Sequence, residues 1–438
     1  MEIESSELNN NYTTFNMKNL IYFLIIFLSL LFSIKVSKKI VLKLKRLNYS
    51  NLSKEKEIGM RYDNKSLFIE KEKWKKRYEI INETNTDIKN NSIIIDDTDI
   101  IFIKNDELND TTQNKKLKVG VIGLDHHKNV GNNLVKYALY TKLKELGMDP
   151  YMVGFLIPNQ TIDFINKTTK IRSIKYFSEI KENDYDILMV GSDQTWNYWN
   201  RRFFNIAYLK FARKWKIPKF VYGASLGMDY WIFPPEYDKS AKIYLKDFKG
   251  ISLREIGSID LVREHLGINA TFVLDPTLII DKHYYLDIIK KYESKFNYDR
   301  DYILTYKLGK LEDIEIFINI TKKNVKYEIF NIDSRDDDYI EKFLTGIYHS
   351  KAVITNSYHA VIFSVIFNKP FVAFIQSIRG NERFKTLRDV FGIKGRFYSP
   401  GNMPDPYLLL EPLKVNYSSI YYYRNQSISF LKKNLGLS

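Results

Sequence analysis

Cysteine is absent from the 438 residues of the chain, and histidine occurs only six times. A chain without cysteine forms no disulfide bond and no thiolate metal site. The histidines are scattered and show no spacing comparable to the H-E-x-x-H of a zinc site, so we predict no metal centre. The composition is that of a globular protein, with 45% hydrophobic and 27% charged residues.

Acidic residues are too few to balance the basic ones, which leaves a net charge of +15 and a pI of about 9.3. Such an excess suits anionic partners, namely phosphorylated small molecules, an anionic membrane surface or nucleic acid. The sequence contains no recognised nucleic-acid-binding motif and no basic-aromatic RNA-binding segment. We therefore expect an anionic small molecule or a membrane as partner, and no nucleic acid.

A long hydrophobic run is also lacking, because the fifteen uncharged residues Leu20–Ile34 fall short of the ~20 that usually span a bilayer. Lys18 and Lys35 flank the run and can snorkel, and further lysines and Arg46 follow it. Positive charge on that side predicts an N-terminal membrane anchor over residues 1–47, with a helix at about 19–36 and the larger part of the chain in the cytoplasm. A buried or interfacial helix is the alternative.

Residues 48–116 are polar and rich in Lys, Asn, Glu and Asp, which predicts a linker. Beyond them, short apolar strand patterns alternate with helical patterns, as is typical of parallel sheets in α/β domains. Two such sets meet near residue 280. We therefore predict two Rossmann-like domains facing a cleft, over residues 117–280 and 281–438, with a helix at Tyr417–Leu435 packing back on the first domain.

The most informative stretch runs from Lys351 to Pro370. An apolar strand pattern, Ala352–Thr355, is followed by two polar residues and then by an apolar helix pattern with His359 in its first turn. Open α/β sheets bind ligands at the carboxyl ends of their strands, and helix N-terminal amides attract anions. We predict that His359 is catalytic and carries a proton, and that Ser357 binds the substrate or caps the helix. The alternative for His359 is a satisfied core histidine.

A second polar segment, Gly131-Asn132-Asn133, follows the predicted strand Val119–Leu124 and precedes the predicted helix Leu134–Leu146. Small and polar residues in a strand-to-helix loop let the polar group of a ligand approach exposed amides. The segment is not a G-x-G-x-x-G, so no dinucleotide cofactor is indicated. Substrate binding and an ordinary helix start both remain open here.

A third segment, Ser192-Asp193-Gln194, follows the predicted strand Asp186–Val190. Its hydroxyl, carboxylate and amide suit the hydroxyl groups of a sugar, although Asp193 is also a candidate helix N-cap. Three nearby aromatic residues are candidates either for stacking on a sugar or for the core: Trp196, Tyr198 and Trp199.

Three arginines are candidates for binding an anion. Arg254 ends a predicted strand, so its guanidinium is expected at the ligand end of the sheet, where it can grip a phosphate or carboxylate with two nitrogens. The alternative is a salt bridge with Glu255 or Asp275. Arg379 and Arg383 follow another predicted strand and either add to the anion site or lie on the surface.

Eight short motifs are spread over the chain from about residue 118 onwards. They are N-x-G-N-N at Asn129–Asn133, V-G-S-D-Q-T-W-N at Val190–Asn197, Y-G-A-S-L-G at Tyr222–Gly227, I-S-L-R-E at Ile251–Glu255, V-L-D-P-T-L at Val273–Leu278, I-T-N-S-Y-H-A at Ile354–Ala360, N-K-P-F at Asn368–Phe371 and N-E-R-F-K-T-L at Asn381–Leu387. In this order they resemble the polysaccharide pyruvyl transferase family.

The resemblance implies a glycosyltransferase-B-like architecture and transfer of the enolpyruvyl unit of phosphoenolpyruvate onto a sugar, which gives a pyruvate ketal. In the family, the His of the S-x-H motif and an Arg belong to the phosphoenolpyruvate site, and the matching residues are His359 and Arg254. The chemistry needs a general acid and groups that hold a phosphate and a carboxylate. It needs neither a metal nor a redox cofactor, so we expect no cofactor. A lipid-linked glycan acceptor would suit the predicted anchor.

Two other functions stay open. A glycosyltransferase that uses a nucleotide sugar has the same kind of cleft, and a carboxylate pair for ribose and base in the second domain would favour it. Glu382 is present, but no E-x-x-x-x-x-x-E motif accompanies it. A non-catalytic glycan-binding protein is the third possibility, and the joint presence of His359, Arg254 and Asp193 counts against it.

Overall fold

The computed structural model of the chain describes residues 115–124, 129–155, 163–296, 300–332, 338–375 and 381–437. The predicted anchor with Leu20–Ile34 and nearly all of the predicted linker lie outside the described residues. Within the described part, no helix combines the length and the apolar character that crossing a membrane requires.

The first half of the described chain builds one parallel sheet. Its strands are β1 (Lys118–Ile122), β2 (Asp149–Phe155), β3 (Ile171–Ile174), β4 (Ile187–Val190), β5 (Lys219–Ala224), β6 (Gly250–Leu253) and β7 (Thr271–Phe272). They lie in the order β3-β2-β1-β4-β5-β6-β7. The helices of this half are α1 (Val130–Glu145), α2 (Asp163–Thr168), α3 (Phe204–Ala207), α4 (Pro235–Leu245) and α5 (Ile256–Leu266).

The second half builds another parallel sheet. Its strands are β8 (Tyr302–Tyr306), β9 (Glu328–Asn331), β10 (Ala352–Thr355), β11 (Phe371–Phe374) and β12 (Phe397–Tyr398), in the order β12-β11-β10-β8-β9. Its helices are α6 (His283–Tyr292), α7 (Glu312–Asn324), α8 (Tyr339–His349), α9 (Tyr358–Ile366), α10 (Glu382–Phe391) and α11 (Tyr417–Leu435). Short 3₁₀ helices lie at Phe177–Glu179, Glu182–Asp184, Tyr198–Phe203, Lys210–Ala212, Pro276–Leu278, Glu293–Lys295 and Pro406–Leu410.

The central strands are short apolar runs, because helices cover both faces of a parallel sheet. β4 reads I-L-M-V and β10 reads A-V-I-T, and every residue of both strands is buried. All neighbouring strands in both sheets run parallel. The predicted fold class, α/β with parallel sheets, is therefore confirmed, whereas 117–280 and 281–438 stay predictions as domain limits.

Helix α11 packs against the first sheet although it comes last in the described chain. Ser427 Oγ accepts a hydrogen bond from Leu274 N at 2.8 Å, and Arg424 Nε donates to Ile279 O at 3.3 Å. The ring of Phe430 lies 6.4 Å from that of Phe220 on β5. The helix therefore covers the apolar surface of β5 and the segment that follows β7.

Candidate active site

The strand order reverses once in each sheet, between β1 and β4 in the first and between β8 and β10 in the second. At such a point, the loops that follow neighbouring strands leave in opposite directions, and a crevice opens at the carboxyl ends of the strands. Gly131 and Asn132 follow β1, Asp193 follows β4 and His359 follows β10. The structure brings these residues from both sheets into one buried cluster.

The helix after β1 begins earlier than the sequence predicted. Asn129 is its N-cap, since the Asn129 side chain accepts a hydrogen bond from Asn132 N at 2.9 Å. Gly131, Asn132 and Asn133 therefore lie in the first turn of α1, and the prediction of a loop there is wrong because a capping Asn starts the helix one turn sooner. Asn133 Nδ2 donates to Tyr339 OH at 3.0 Å, which links α1 to α8.

Glycine at position 131 lets His359 approach the backbone of α1. A Cβ built on Gly131 would lie 1.9 Å from His359 Nδ1, far closer than any non-bonded contact. Asn132 Nδ2 donates to Asp193 Oδ2 at 3.0 Å, and Asn132 Oδ1 has no hydrogen-bond partner among the described residues. The first turn of α1 therefore contacts cluster members that come from both sheets.

Arg254 is the centre of the cluster. Its Nη2 lies 2.8 Å from Asp193 Oδ1, and its Nη1 binds Asp275 Oδ2, with no solvent-exposed surface on either side chain of the second pair. Burial raises the pKa of Asp193, but the charges of Arg254 and His359 outweigh it and bring that pKa to about 2. The same two neighbours hold the pKa of Asp275 well below its ordinary value, against the effect of burial. Both aspartates are therefore carboxylates at neutral pH.

The salt bridge of Arg254 shapes what its guanidinium can bind. Asp275 is a partner and Glu255 is not, because Glu255 accepts hydrogen bonds from Leu226 N at 3.0 Å and from Gly227 N at 3.1 Å. Both terminal nitrogens of Arg254 are occupied by carboxylates, and its Nε has no hydrogen-bond partner among the described residues. These two ion pairs use two of the five N–H donors of the guanidinium, so a substrate anion would have to bind to the remaining three, Nε–H among them.

Asp193 adopts a backbone conformation that is rare for a side-chain-bearing residue. Its φ is +89°, in the left-handed region, which costs about 1–3 kcal/mol. Its carbonyl accepts hydrogen bonds from Thr195 N at 2.7 Å and Ser225 N at 3.0 Å, and these bonds offset part of the strain. The alternative that Asp193 is a helix N-cap is wrong, because its carboxylate binds Arg254 and the next helical turn begins only at Tyr198.

His359 lies in the first turn of α9, as the sequence predicted. Ser357 is the N-cap of this helix, its Oγ accepting from Ala360 N at 3.4 Å. His359 Nε2 is 3.5 Å from Asp275 Oδ2, beyond an ordinary hydrogen bond, and has no hydrogen-bond partner among the described residues. A buried imidazole nitrogen beside a fixed negative charge, at a helix N-terminus, is suited to carrying a proton to or from an anionic ligand.

The ring of Tyr358 lies close to two guanidinium groups. Arg254 is 5.1 Å and Arg383 is 5.4 Å from the ring centroid, within the range of cation–π contact. Burial lowers the pKa of Arg383, and the nearby charge of Arg254 lowers it further. The structure therefore places Arg383, on α10, near the cluster. Arg379 lies outside the described residues.

The other polar residues of the segment after β4 are positioned around the cluster. Ser192 Oγ donates to Gly223 O at 2.7 Å, which ties the segment to β5. The carbonyl of Gln194 accepts from Asn200 Nδ2 at 2.8 Å, and its side chain is half-buried. Ser192 therefore has an internal partner, whereas Gln194 is a partly exposed residue.

The aromatic residues after β4 separate into core and surface. Trp196 is buried, and its indole stacks on Tyr208 with ring centroids 4.6 Å apart. Of the two alternatives for Trp196, a sugar-stacking face and a place in the core, the structure supports the core, because Tyr208 covers its face. Tyr198 is half-buried, while Trp199 is 61% exposed.

Sequence reasoning missed two residues of the cluster. It considered Asp275 only as an alternative partner of Arg254, and in the structure Asp275 also accepts from Thr277 N at 3.0 Å. The signal that could have found it is its position after a strand, the same signal that singled out Arg254. Tyr358 was passed over because an aromatic residue in an apolar helix usually packs in the core.

Comparison with known proteins gives a family and distant structural likenesses. Residues 129–378 match the polysaccharide pyruvyl transferase family, which is more than half of the 438 residues. No curated protein is significantly similar to the chain in sequence.

Among solved structures, UDP-GlcNAc 2-epimerase from Neisseria meningitidis bound to UDP-GlcNAc is 10% identical, with a TM-score of 0.46 over 73% of this chain and 99% of that chain. MnaA of S. aureus with UDP is 14% identical, with a TM-score of 0.45 over 74% and 98%. MurG of Acinetobacter baumannii is 10% identical, with a TM-score of 0.39 over 73% and 94%. Similarities this distant carry no information on the substrate of this chain.

Proposed function

This chain belongs to the polysaccharide pyruvyl transferase family, and we propose that it transfers the enolpyruvyl unit of phosphoenolpyruvate onto a sugar of a cell-surface glycan or its precursor. The product would be a pyruvate ketal. The observation that carries the proposal is the buried cluster in which His359 lies against Gly131 and 3.5 Å from Asp275, at the N-terminus of α9. We further propose that the two sheets belong to a glycosyltransferase-B-like pair of domains with the cleft at this cluster.

Ketal formation moves two protons and releases one phosphate. The first sugar hydroxyl adds to C2 of phosphoenolpyruvate. At the same time the methylene carbon of phosphoenolpyruvate gains a proton and becomes a methyl group. The second hydroxyl then adds to the same carbon, the C–O bond to phosphate breaks, and phosphate leaves with the remaining proton. In this proposal His359 Nε2 delivers the proton to the methylene carbon, and the neutral imidazole then takes up the proton of the first sugar hydroxyl. The Asp275 carboxylate stabilises the imidazolium before and after this exchange.

The aspartates have a supporting role in this scheme. A carboxylate whose pKa is about 2, as for Asp193, is a weak base and does not take the proton of a sugar hydroxyl. Asp193 and Asp275 instead hold Arg254 between them. Arg254 thereby positions Asp275 beside His359.

The donor carries a phosphate and a carboxylate, and three features near His359 suit them. The amides and dipole of the α9 N-terminus attract an anion. Arg383 brings a second cation to within 5.4 Å of the Tyr358 ring. Asn132 contributes a buried side-chain amide that already contacts Asp193. Binding of the phosphate and the carboxylate of the donor therefore depends on residues from both sheets.

We place the reaction at the cytoplasmic face of a membrane, where phosphoenolpyruvate is available. The hydrophobic run Leu20–Ile34, with basic residues after it, supports an anchor, and the net charge of +15 supports an anionic membrane partner. A lipid-linked glycan would then reach the site from the same membrane.

The proposal is tested by thermal unfolding of the purified full chain with phosphoenolpyruvate, and with UDP-GlcNAc and GDP-mannose in parallel. A ligand at a hundredfold excess over its dissociation constant stabilises the folded state by roughly 2.7 kcal/mol, a shift of several degrees. We expect this shift with phosphoenolpyruvate. A shift only with a nucleotide sugar would contradict the proposal and favour glycosyl transfer.

Release of phosphate from phosphoenolpyruvate in the presence of a membrane glycan fraction tests the role of His359. His359→Gln should release no phosphate, because the side-chain amide of Gln does not gain or lose a proton near neutral pH and cannot act as a general acid. His283→Gln is the matched control, since the side chain of His283 is 58% exposed on α6 and lies outside the cluster. Full activity of folded His359→Gln would remove His359 from the mechanism.

A further inference from the structure

Two loops at the carboxyl edge of the first sheet each expose an aromatic side chain. Trp199 lies in the 3₁₀ helix Tyr198–Phe203, within the loop region after β4, and is 61% exposed; Tyr230 lies in the loop after β5 and is 56% exposed. We call these two residues the aromatic pair. The same two loops begin at the buried cluster, because Asp193 forms a parallel bridge with Ala224 at the end of β5.

The two loops are bonded to each other. Asn197 Nδ2 donates to Leu226 O at 2.7 Å, and Asn197 Oδ1 accepts from Trp199 N at 2.9 Å. Gly227 has φ +74°, and a Cβ there would lie 2.6 Å from Gln194 Nε2, so the Gln194 amide lies closely against the second loop. One buried Asn side chain therefore fixes both the junction of the loops and the backbone of Trp199.

The base of Trp199 is also supported by packing. Tyr198 contacts Phe233 edge-on with ring centroids 5.4 Å apart, and its ring lies 6.2 Å from that of Trp199. Trp231, in the second loop, has internal partners, since it stacks on His265 at 4.6 Å and donates to Asp238 Oδ1. Isolated exposed aromatic residues are common on protein surfaces, but Trp199 extends from a loop whose backbone is held in place.

We propose that the aromatic pair binds pyranose units of the acceptor glycan, outside the buried cluster, on the same loops as the half-buried Gln194. The C–H face of a pyranose ring is apolar and slightly positive, and the face of an indole or phenol is apolar and slightly negative, so the two stack. The ring edge of the sugar meanwhile keeps its hydroxyls available to an amide such as Gln194. The inference rests on the proposed function, because it assigns the acceptor of that reaction to this surface.

The position of the aromatic pair at the edge of the first sheet favours the acceptor glycan over a protein as its partner. The donor-side residues His359 and Arg383 come from the second sheet, whereas the aromatic pair belongs to the first. An acceptor held at the carboxyl edge of the first sheet approaches the cluster from the side of Asp193. A glycan of several sugars can occupy the aromatic pair and still present its terminal hydroxyls to the buried site.

The test is binding of oligosaccharides to the full chain in the absence of phosphoenolpyruvate, by isothermal titration. The probes are a panel of gluco-, galacto-, manno- and N-acetylglucosamine oligosaccharides of two to six units. We expect binding that Trp199→Ala weakens about tenfold and Trp199→Phe weakens much less, because an aromatic face remains. Tyr230→Ala should weaken the same probe.

Tyr407→Ala is the matched control, because Tyr407 is a 52% exposed aromatic residue in the 3₁₀ helix Pro406–Leu410, among the elements of the second half. It should leave binding unchanged. No binding by any probe, or binding that Trp199→Ala leaves intact, would overturn the inference. If oligosaccharide binding depends on Trp199 while phosphoenolpyruvate does not bind, the proposed function fails and the acceptor surface stands.

Discussion

The substitution Gly131→Ala tests the close approach between the two sheets at the cluster. The backbone of Gly131 is helical, so alanine suits its conformation and should stabilise α1 by up to about 1 kcal/mol. The added Cβ, however, falls 1.9 Å from His359 Nδ1 and 2.5 Å from His359 Cε1. The imidazole is buried, so displacing it by overpacking should cost about 1–3 kcal/mol. We expect a net loss of about 1–2 kcal/mol.

A double-mutant cycle separates these two contributions. In a His359→Ala background the imidazole is gone, so Gly131→Ala should become neutral or stabilising, which corresponds to a coupling free energy of about 1–3 kcal/mol. Thermal unfolding of the four proteins is the assay, with roughly 2 °C expected for each kcal/mol. Phosphate release from phosphoenolpyruvate should already be lost in the single variant Gly131→Ala, since the displaced imidazole no longer faces Asp275.

Gly346→Ala is the matched control for this cycle. Gly346 is also helical, in α8, and its added Cβ would lie 2.8 Å from Ile332 Cδ1, the far end of a flexible side chain. It should be tolerated, and His359→Ala should not change its effect. An equal cost of Gly131→Ala with and without the imidazole would refute the contact between α1 and His359.

Three further predictions concern the charges around the cluster. Asp275→Asn should destabilise the protein by about 3–5 kcal/mol in thermal or urea unfolding, because it leaves the buried guanidinium of Arg254 short of one partner; a loss below 1 kcal/mol would mean that the pair is not buried. Acid should weaken the fold: the pKa of Asp193 falls from 3.8 unfolded to about 2 folded, so about 2 kcal/mol of stability is present above pH ~4 and is lost as the pH falls through about 2. In Asp193→Asn that part of the pH dependence should vanish from acid unfolding curves. Glu382→Ala should cost about 1 kcal/mol, since Glu382 Oε1 accepts from Gly257 N at the start of α5 at 2.9 Å, whereas Glu382→Gln keeps an acceptor and should melt close to the parent protein.

Local patterns in the sequence were sufficient for the element that carries His359. The structure has β10 at Ala352–Thr355, as predicted, because an unbroken apolar run ends at polar residues. The edge strand β3, Ile171–Ile174, was missed, because its sequence I-R-S-I is largely half-buried or exposed and lacks an apolar run. The start of α1 was placed too late because Gly and Asn have low helix propensity, although Asn129 caps the turn that contains them.

Partners across long sequence separations were beyond these patterns. Asp193 was a candidate for sugar binding, yet its carboxylate binds Arg254, 61 residues away. No local signal distinguishes a carboxylate that meets a ligand from one that meets a buried guanidinium, because both follow strands at the same edge. Likewise, Trp196 and Trp199 were equal candidates for sugar stacking or for the core, and only the position of the core separates them.

The packing of α11 on the first sheet has a consequence for how the chain is made. Leu274 N donates a hydrogen bond to Ser427 Oγ, which lies 153 residues further along the chain. The bond can therefore form only after Ser427 has been synthesised. At about 5–20 residues per second, a ribosome needs on the order of ten seconds to supply that partner. During this interval the newly made first sheet keeps an apolar surface uncovered, which makes the nascent chain a client for chaperones. A polypeptide released before residue 417 would keep that surface exposed and be a preferred target for proteolysis.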